Sequence, residues 1–113
     1  MVALNKLQKA PPYPVEQALK RVGENLRTAR IRRRMTIEDV AGRIGTGPRV
    51  VMDAEKGKGS TGIVAYAGLL WLYGLLQPFE ELADPLKDQE GLALQSAKAP
   101  TRARKSRGLN NDF

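Results

Sequence analysis

Residues 36–55, TIEDVAGRIGTGPRVVMDAE, decide how this chain folds. Thr36 has the short oxygen-bearing side chain of an N-cap, and Asp39 three positions on completes a capping-box-like start. Val40, Ala41 and Ile44 then fall on one apolar face of a short helix. Gly45 follows at once, where a chain leaving a helix often turns through positive φ. Gly47-Pro48 opens a second helix, because proline in the first turn lacks only an N–H that would be unpaired there. Val50, Val51 and Ala54 form the inner side of that helix, while Arg49, Met52, Asp53 and Lys56 point elsewhere. The spacing predicts two short helices joined by a glycine turn.

The flanking segments extend this pattern. Residues 1–14 read as a loose arm, with basic Lys6 and Lys9, and with Pro11, Pro12 and Pro14 holding off a helix until Val15. From Val15 to about Arg34, Leu19, Val22, Leu26 and Ala29 recur at three- and four-residue spacing as an inward stripe. The run Arg32-Arg33-Arg34 closes that helix, where cations oppose its dipole and are equally placed for phosphate contact. KGKGSTG, after Glu55, is a basic glycine-rich turn without the spacing of a P-loop. Ser60 to Leu76 is the most apolar segment, capped by Ser60 or Thr61, and too short for the roughly 18–20 residues that cross a bilayer. Its hydrophobicity runs nearly all round. The excess is expected at a subunit contact, or beneath the first and last helices. A short fifth helix starts near Gln77-Pro78 and stops before Pro85.

From Lys87 onward charged and small residues dominate, and Lys98, Arg102, Arg104, Lys105 and Arg107 form a basic block without an intervening acid. Such a segment is expected to be disordered, either as a solubilising tail or as one that grips an acidic or phosphate-bearing partner. The expected organisation is an arm over 1–14, one helical domain over 15–86 and a tail over 87–113.

The chain of 113 residues is long enough for one modest core. It has no Cys and no His, which excludes disulfides, thiolate chemistry and Cys/His zinc sites. No carboxylate pair has spacing suggestive of catalysis, so no enzyme, metal or cofactor is expected. Lys and Arg total 19 against 12 Asp and Glu, a net charge of +7 that favours anionic partners. The first residues lack the continuous apolar core of a signal peptide, so a cytoplasmic protein is expected.

Laid out this way, Val22 to Leu82 resembles the Cro/C1-type helix-turn-helix family, also called the Xre family. The segments that carry the likeness are NLRTARIRRRMTIEDVAGRIG, then PRVVMDAEKGK, then the apolar helix. The resemblance implies an all-α, five-helix, lambda repressor-like domain that lays the second helix of the pair, about 48–56, in the DNA major groove. It further implies an ion pair between Arg30 and Glu55, with Leu26 beside them in the core. By position it implies base readers at Gly47, Pro48, Arg49, Met52 and Asp53. Arg49 suits guanine O6 and N7, and Met52 a thymine methyl. Asp53 suits a cytosine amine or the orientation of Arg49. Phosphate contacts are implied at Arg27, Arg33, Thr36, Thr46, Lys56 and Lys58. The chain departs from the family at Ile37, where glutamine is frequent, at Pro48, which lacks an N–H, and at Ala54, which is small.

The function so implied is that of a repressor, acting as a homodimer on palindromic double-stranded DNA. A subset of the family are HipB-like antitoxins that hold HipA-like kinase toxins, and the basic tail looks like theirs. The alternative is a protein-interaction module whose main role is to neutralise such a toxin through that tail. No membrane partner is expected.

Overall fold

A computed structural model describes residues 6–102 of the chain, with side chains over 6–97. The protein is all-α. Its elements are α1 (Lys6–Lys9), α2 (Tyr13–Arg32), α3 (Ile37–Ile44), α4 (Pro48–Glu55), α5 (Ile63–Leu72), α6 (Leu76–Glu80) and α7 (Gln89–Arg102), with a 3₁₀ turn at Pro85–Lys87. The chain divides between Phe79 and Glu80 into two compact units. No helix among the described residues is long and apolar enough to cross a membrane.

In the first unit α4 is the hub, packing against α2, α3 and α5. The core joins Leu26 and Ala29 of α2, Val40 and Ala41 of α3, Val51 and Ala54 of α4, and Tyr66 and Leu69 of α5, with Tyr73 just beyond. Leu26, Leu69, Val40 and Val51 are wholly enclosed. Each such side chain contributes about 1.5–3 kcal/mol by leaving water. Ile44, Met35, Ile37, Leu70 and Leu72 pack around this centre.

The inner line of α2 differs from the expected stripe. Val22 is 38% exposed, and Gly23, one residue on, is buried. A Cβ on Gly23 would lie 2.6 Å from the carbonyl oxygen of Glu55 and 2.8 Å from that of Ala54. Gly57, at φ +72°, faces back, where a Cβ would meet the Leu19 carbonyl oxygen at 2.5 Å. Two glycines therefore let α2 and the end of α4 approach backbone to backbone.

Both ends of α2 also shift. It begins at Tyr13 with Pro14 inside its first turn, because that turn needs no N–H from the proline. The expected loose arm contains the single turn α1, closed by the Ala10 N–H on the Lys6 carbonyl at 2.9 Å. At the other end α2 stops at Arg32, and Arg34 sits at φ +56°. In α5, Gly62 rather than Ser60 or Thr61 occupies the N-cap. Thr61 instead closes a turn onto the Lys58 carbonyl, which also accepts the Tyr66 hydroxyl at 3.0 Å. Tyr66, Leu69 and Tyr73 face inward, whereas Ile63, Val64 and Trp71 are 62–79% exposed.

In the second unit, Asp84 caps the 3₁₀ turn through the Leu86 N–H at 2.9 Å. Asp88 accepts the Gly91 N–H at 2.9 Å at the head of α7. The disorder expected from Lys87 is thus replaced by helix over 89–102. The reason is local: QEGLALQSAK is rich in good helix formers, and Asp88 supplies the cap. Arg104, Lys105, Arg107 and the side chains of Lys98 and Arg102 lie outside what the structure describes.

Gly23→Ala is expected to destabilise the fold by about 2–3 kcal/mol, because backbone must move to admit the methyl. Urea unfolding checks this. A gain in stability, as helix propensity alone would give, contradicts the close approach.

Candidate functional site

The exposed side of α4 is built from the turn that precedes it. Thr36 and Asp39 form the reciprocal capping box. The Thr36 hydroxyl oxygen accepts the Asp39 N–H at 3.0 Å, and the Thr36 N–H donates to Asp39 Oδ2 at 3.1 Å. Hydrogen bonds from Thr36, backbone first, hold the Asp39 carboxyl below its ordinary range. At the far end of α3, Gly45 adopts φ +82°, and the N–H groups of Gly45 and Thr46 both close onto the Ala41 carbonyl at 2.9 Å. Gly47 then heads α4 with no side chain to cap it. With Val51 and Ala54 buried, helical geometry sets Arg49, Met52 and Lys56 on the opposite side.

Arg30 fixes the other end of α4. Its Nε donates to Glu55 Oε2 at 2.7 Å and its Nη2 to Oε1 at 3.1 Å, a two-pronged pair with side chains only 12% and 7% exposed. Its Nη1 donates to the Met35 carbonyl at 3.0 Å. The hydrogen bond to Glu55 raises the Arg30 pKa further above its already high value. One guanidinium thus joins α2, the α2–α3 turn and the end of α4.

The residues marked out by sequence separate into two groups. Gly47, Pro48, Arg49, Met52 and Lys56 are exposed together on α4 or at its start, and Arg27 is exposed on α2. Thr46 is half-buried in the turn, and Thr36 keeps only its hydroxyl proton to donate outward. Three residues are placed otherwise than expected. Asp53 turns its carboxylate to Lys58 at 3.4 Å, with one oxygen buried, and so neither faces outward as a base reader nor orients Arg49. Lys58 is correspondingly occupied by that pair. Arg33 donates from Nη1 to the Ala29 carbonyl at 2.9 Å and from Nη2 to the Tyr73 carbonyl at 3.0 Å, and stacks 5.3 Å from the Tyr73 ring centroid. Its guanidinium caps exposed carbonyls of the fold in place of a phosphate.

Two residues essential to this arrangement were not marked out as site residues by the sequence. Gly23 is silent in a hydrophobic pattern, although its spacing from Leu26 and Arg30 marks one helix face. Tyr73 reads as core, yet its carbonyl and ring anchor Arg33. Its own hydroxyl is buried without a hydrogen-bond partner among the described residues, and burial pushes its pKa up. No family model, curated protein or solved structure matches the chain.

Glu55→Ala should cost about 2–4 kcal/mol, since it strands a largely buried guanidinium. The loss is read from chemical denaturation. A cost below about 0.5 kcal/mol would place the pair among ordinary surface ion pairs.

Proposed function

We propose that this chain is a sequence-specific DNA-binding regulator, a repressor of the Cro/C1-type helix-turn-helix kind, with α4 entering the major groove. The observation that carries this is the outward side of α4. Arg49, Met52 and Lys56 share it, and neither cation there is paired with a carboxylate among the described residues. Arg49 sits in the first turn of α4, with exposed Gly47 and Pro48 leaving room for a close approach to base edges. Lys56 and Arg27 supply phosphate contacts, and Thr36 and Thr46 add hydroxyl donors. With Asp53 and Lys58 paired to each other, base reading falls on Arg49 and Met52.

The same reading takes the regulator to be a homodimer. The side of α5 opposite its buried face carries Val64 and Trp71, 79% and 62% exposed, beside Ile63, and the helix IVAYAGLLWL has no charge. An isologous contact through this face leaves α4 free for DNA and sets two half-sites about one helical turn apart, roughly 34 Å.

The test is titration of duplex DNA from the upstream region of the gene, with competitor present and salt varied. Specific binding that weakens steeply with salt supports the reading, and binding erased by competitor at every salt concentration removes it. Arg49→Ala should cost about 1–3 kcal/mol and relax preference at one base position, measured on a panel of single-base variants. Trp71→Glu should shift the protein to monomer in sedimentation and lower operator affinity. A dimer that survives the change would put the subunit contact elsewhere.

A further inference from the structure

The end of α2 holds two other helices by their own C-terminal ends. Arg30 grips the last residue of α4 through both carboxylate oxygens of Glu55. Arg33, three residues on, grips the residue just after α5. The Arg33 N–H donates to the Arg30 carbonyl at 3.1 Å, and its guanidinium reaches the Ala29 carbonyl at 2.9 Å and the Tyr73 carbonyl at 3.0 Å. It also lies 5.3 Å over the Tyr73 ring, which is buried. Tyr73 cannot drift without breaking a charge-assisted hydrogen bond and uncovering that ring. The way the helices pack gives this contact its weight. α2 packs against α4, and α5 packs against α3 and α4. Among the described residues, the Arg33–Tyr73 bond is the hydrogen bond that joins α2 to the end of α5. Trp71, exposed on α5, lies two residues before Tyr73, and exposed Leu75 lies two residues after it. The end of α5 that Arg33 holds is thus the end that carries the largest exposed apolar side chain.

We infer that Arg33 is a positioning residue that sets the distance and angle between the two recognition helices of the DNA-bound pair. This rests on the reading above, in which α5 faces a second copy and α4 enters the groove, and adds a residue that touches neither DNA nor the second copy. Arg30 fixes α4 on α2, and Arg33 fixes α5 on the same helix three residues away. α2 is therefore the strut between groove and subunit contact. Any tilt of α5 against α4 enters once from each copy across a two-fold axis. One base pair displaces a half-site by about 3.4 Å along the duplex and about 34° around it, so small tilts decide which spacing is met. A rigid guanidinium fork that holds two carbonyls suits this task better than the point charge of lysine.

The experiment presents full-length wild type, Arg33→Ala, Arg33→Lys and Arg32→Ala with a library of random duplexes about 30 base pairs long, three helical turns. Bound duplexes are sequenced, and thermal unfolding checks that each variant is folded. Wild type should enrich inverted half-sites at a single spacing, favoured over spacings one base pair longer or shorter by about tenfold or more, the cost of one badly met base pair. Arg33→Ala should enrich the same half-site sequence, with the spacing preference reduced to about threefold or less. Arg33→Lys keeps the charge without the fork, should broaden the spacing likewise, and carries the test if the alanine variant unfolds. Arg32→Ala removes the adjacent charge and should keep the wild-type spacing. A spacing preference in the Arg33 variants as sharp as the wild type's, an altered half-site sequence in them, or equal broadening in Arg32→Ala overturns the assignment of Arg33 and leaves the regulator standing. A wild type that enriches no paired half-sites overturns the two-fold reading itself, and this inference with it.

Discussion

The two-pronged contact between Arg30 and Glu55 is the constraint on which the first unit depends. A helix of eight residues such as α4 is too short to persist by its own hydrogen bonds. It is held along one side by Val51 and Ala54 in the core and at its end by the guanidinium of Arg30. Arginine suits this position because its planar fork satisfies both carboxylate oxygens and still has a donor for the Met35 carbonyl. Lysine, a point charge, would make one of these contacts at a time.

That ion pair operates at close quarters because Gly23 and Gly57 remove the side chains that would separate the helices. The Glu55 carbonyl lies against Gly23, while the Glu55 carboxylate meets Arg30, seven residues further along the same face of α2. Backbone contact and charge contact therefore fix the tilt and the register of α4 together. The outward residues inherit that precision. Arg49 and Met52 are flexible side chains, but the backbone that carries them has little freedom to drift.

Cations in this protein divide by what surrounds them rather than by their number. Arg30 and Arg33 are consumed by the fold, one by a carboxylate and the other by the carbonyls of Ala29, in the last turns of α2, and Tyr73, just after α5. Lys58 is paired with Asp53 while its side chain stays 48% exposed. Lys56, Arg49, Arg27 and Arg34 are left exposed. A net charge of +7 is thus a poor measure of what the surface offers an anion. Neighbours in sequence such as Arg33 and Arg34 do opposite things, because one reaches Tyr73 and the other is turned away by its backbone.

The sequence by itself determined the all-α class, the helix pair at 36–55 with its capping box and glycine turn, and most of the core. Those features are written in periodicity and in local chemistry between residues a few positions apart. Resemblance to a known motif added the Arg30–Glu55 partnership, which no local rule supplies. The helix over 89–102 was hidden because charge and sparse apolar residues outweighed helix propensity in the reading, although propensity and a cap suffice to start a helix. Only the tertiary structure decided that Gly23 rather than Val22 faces α4, since contact between backbones needs the absence of a side chain and so leaves no hydrophobic trace. It alone decided that Asp53 serves Lys58 and that Arg33 serves Tyr73. Those choices depend on which distant carbonyl or cation arrives within about 3 Å, a distance set by packing and not by spacing along the chain.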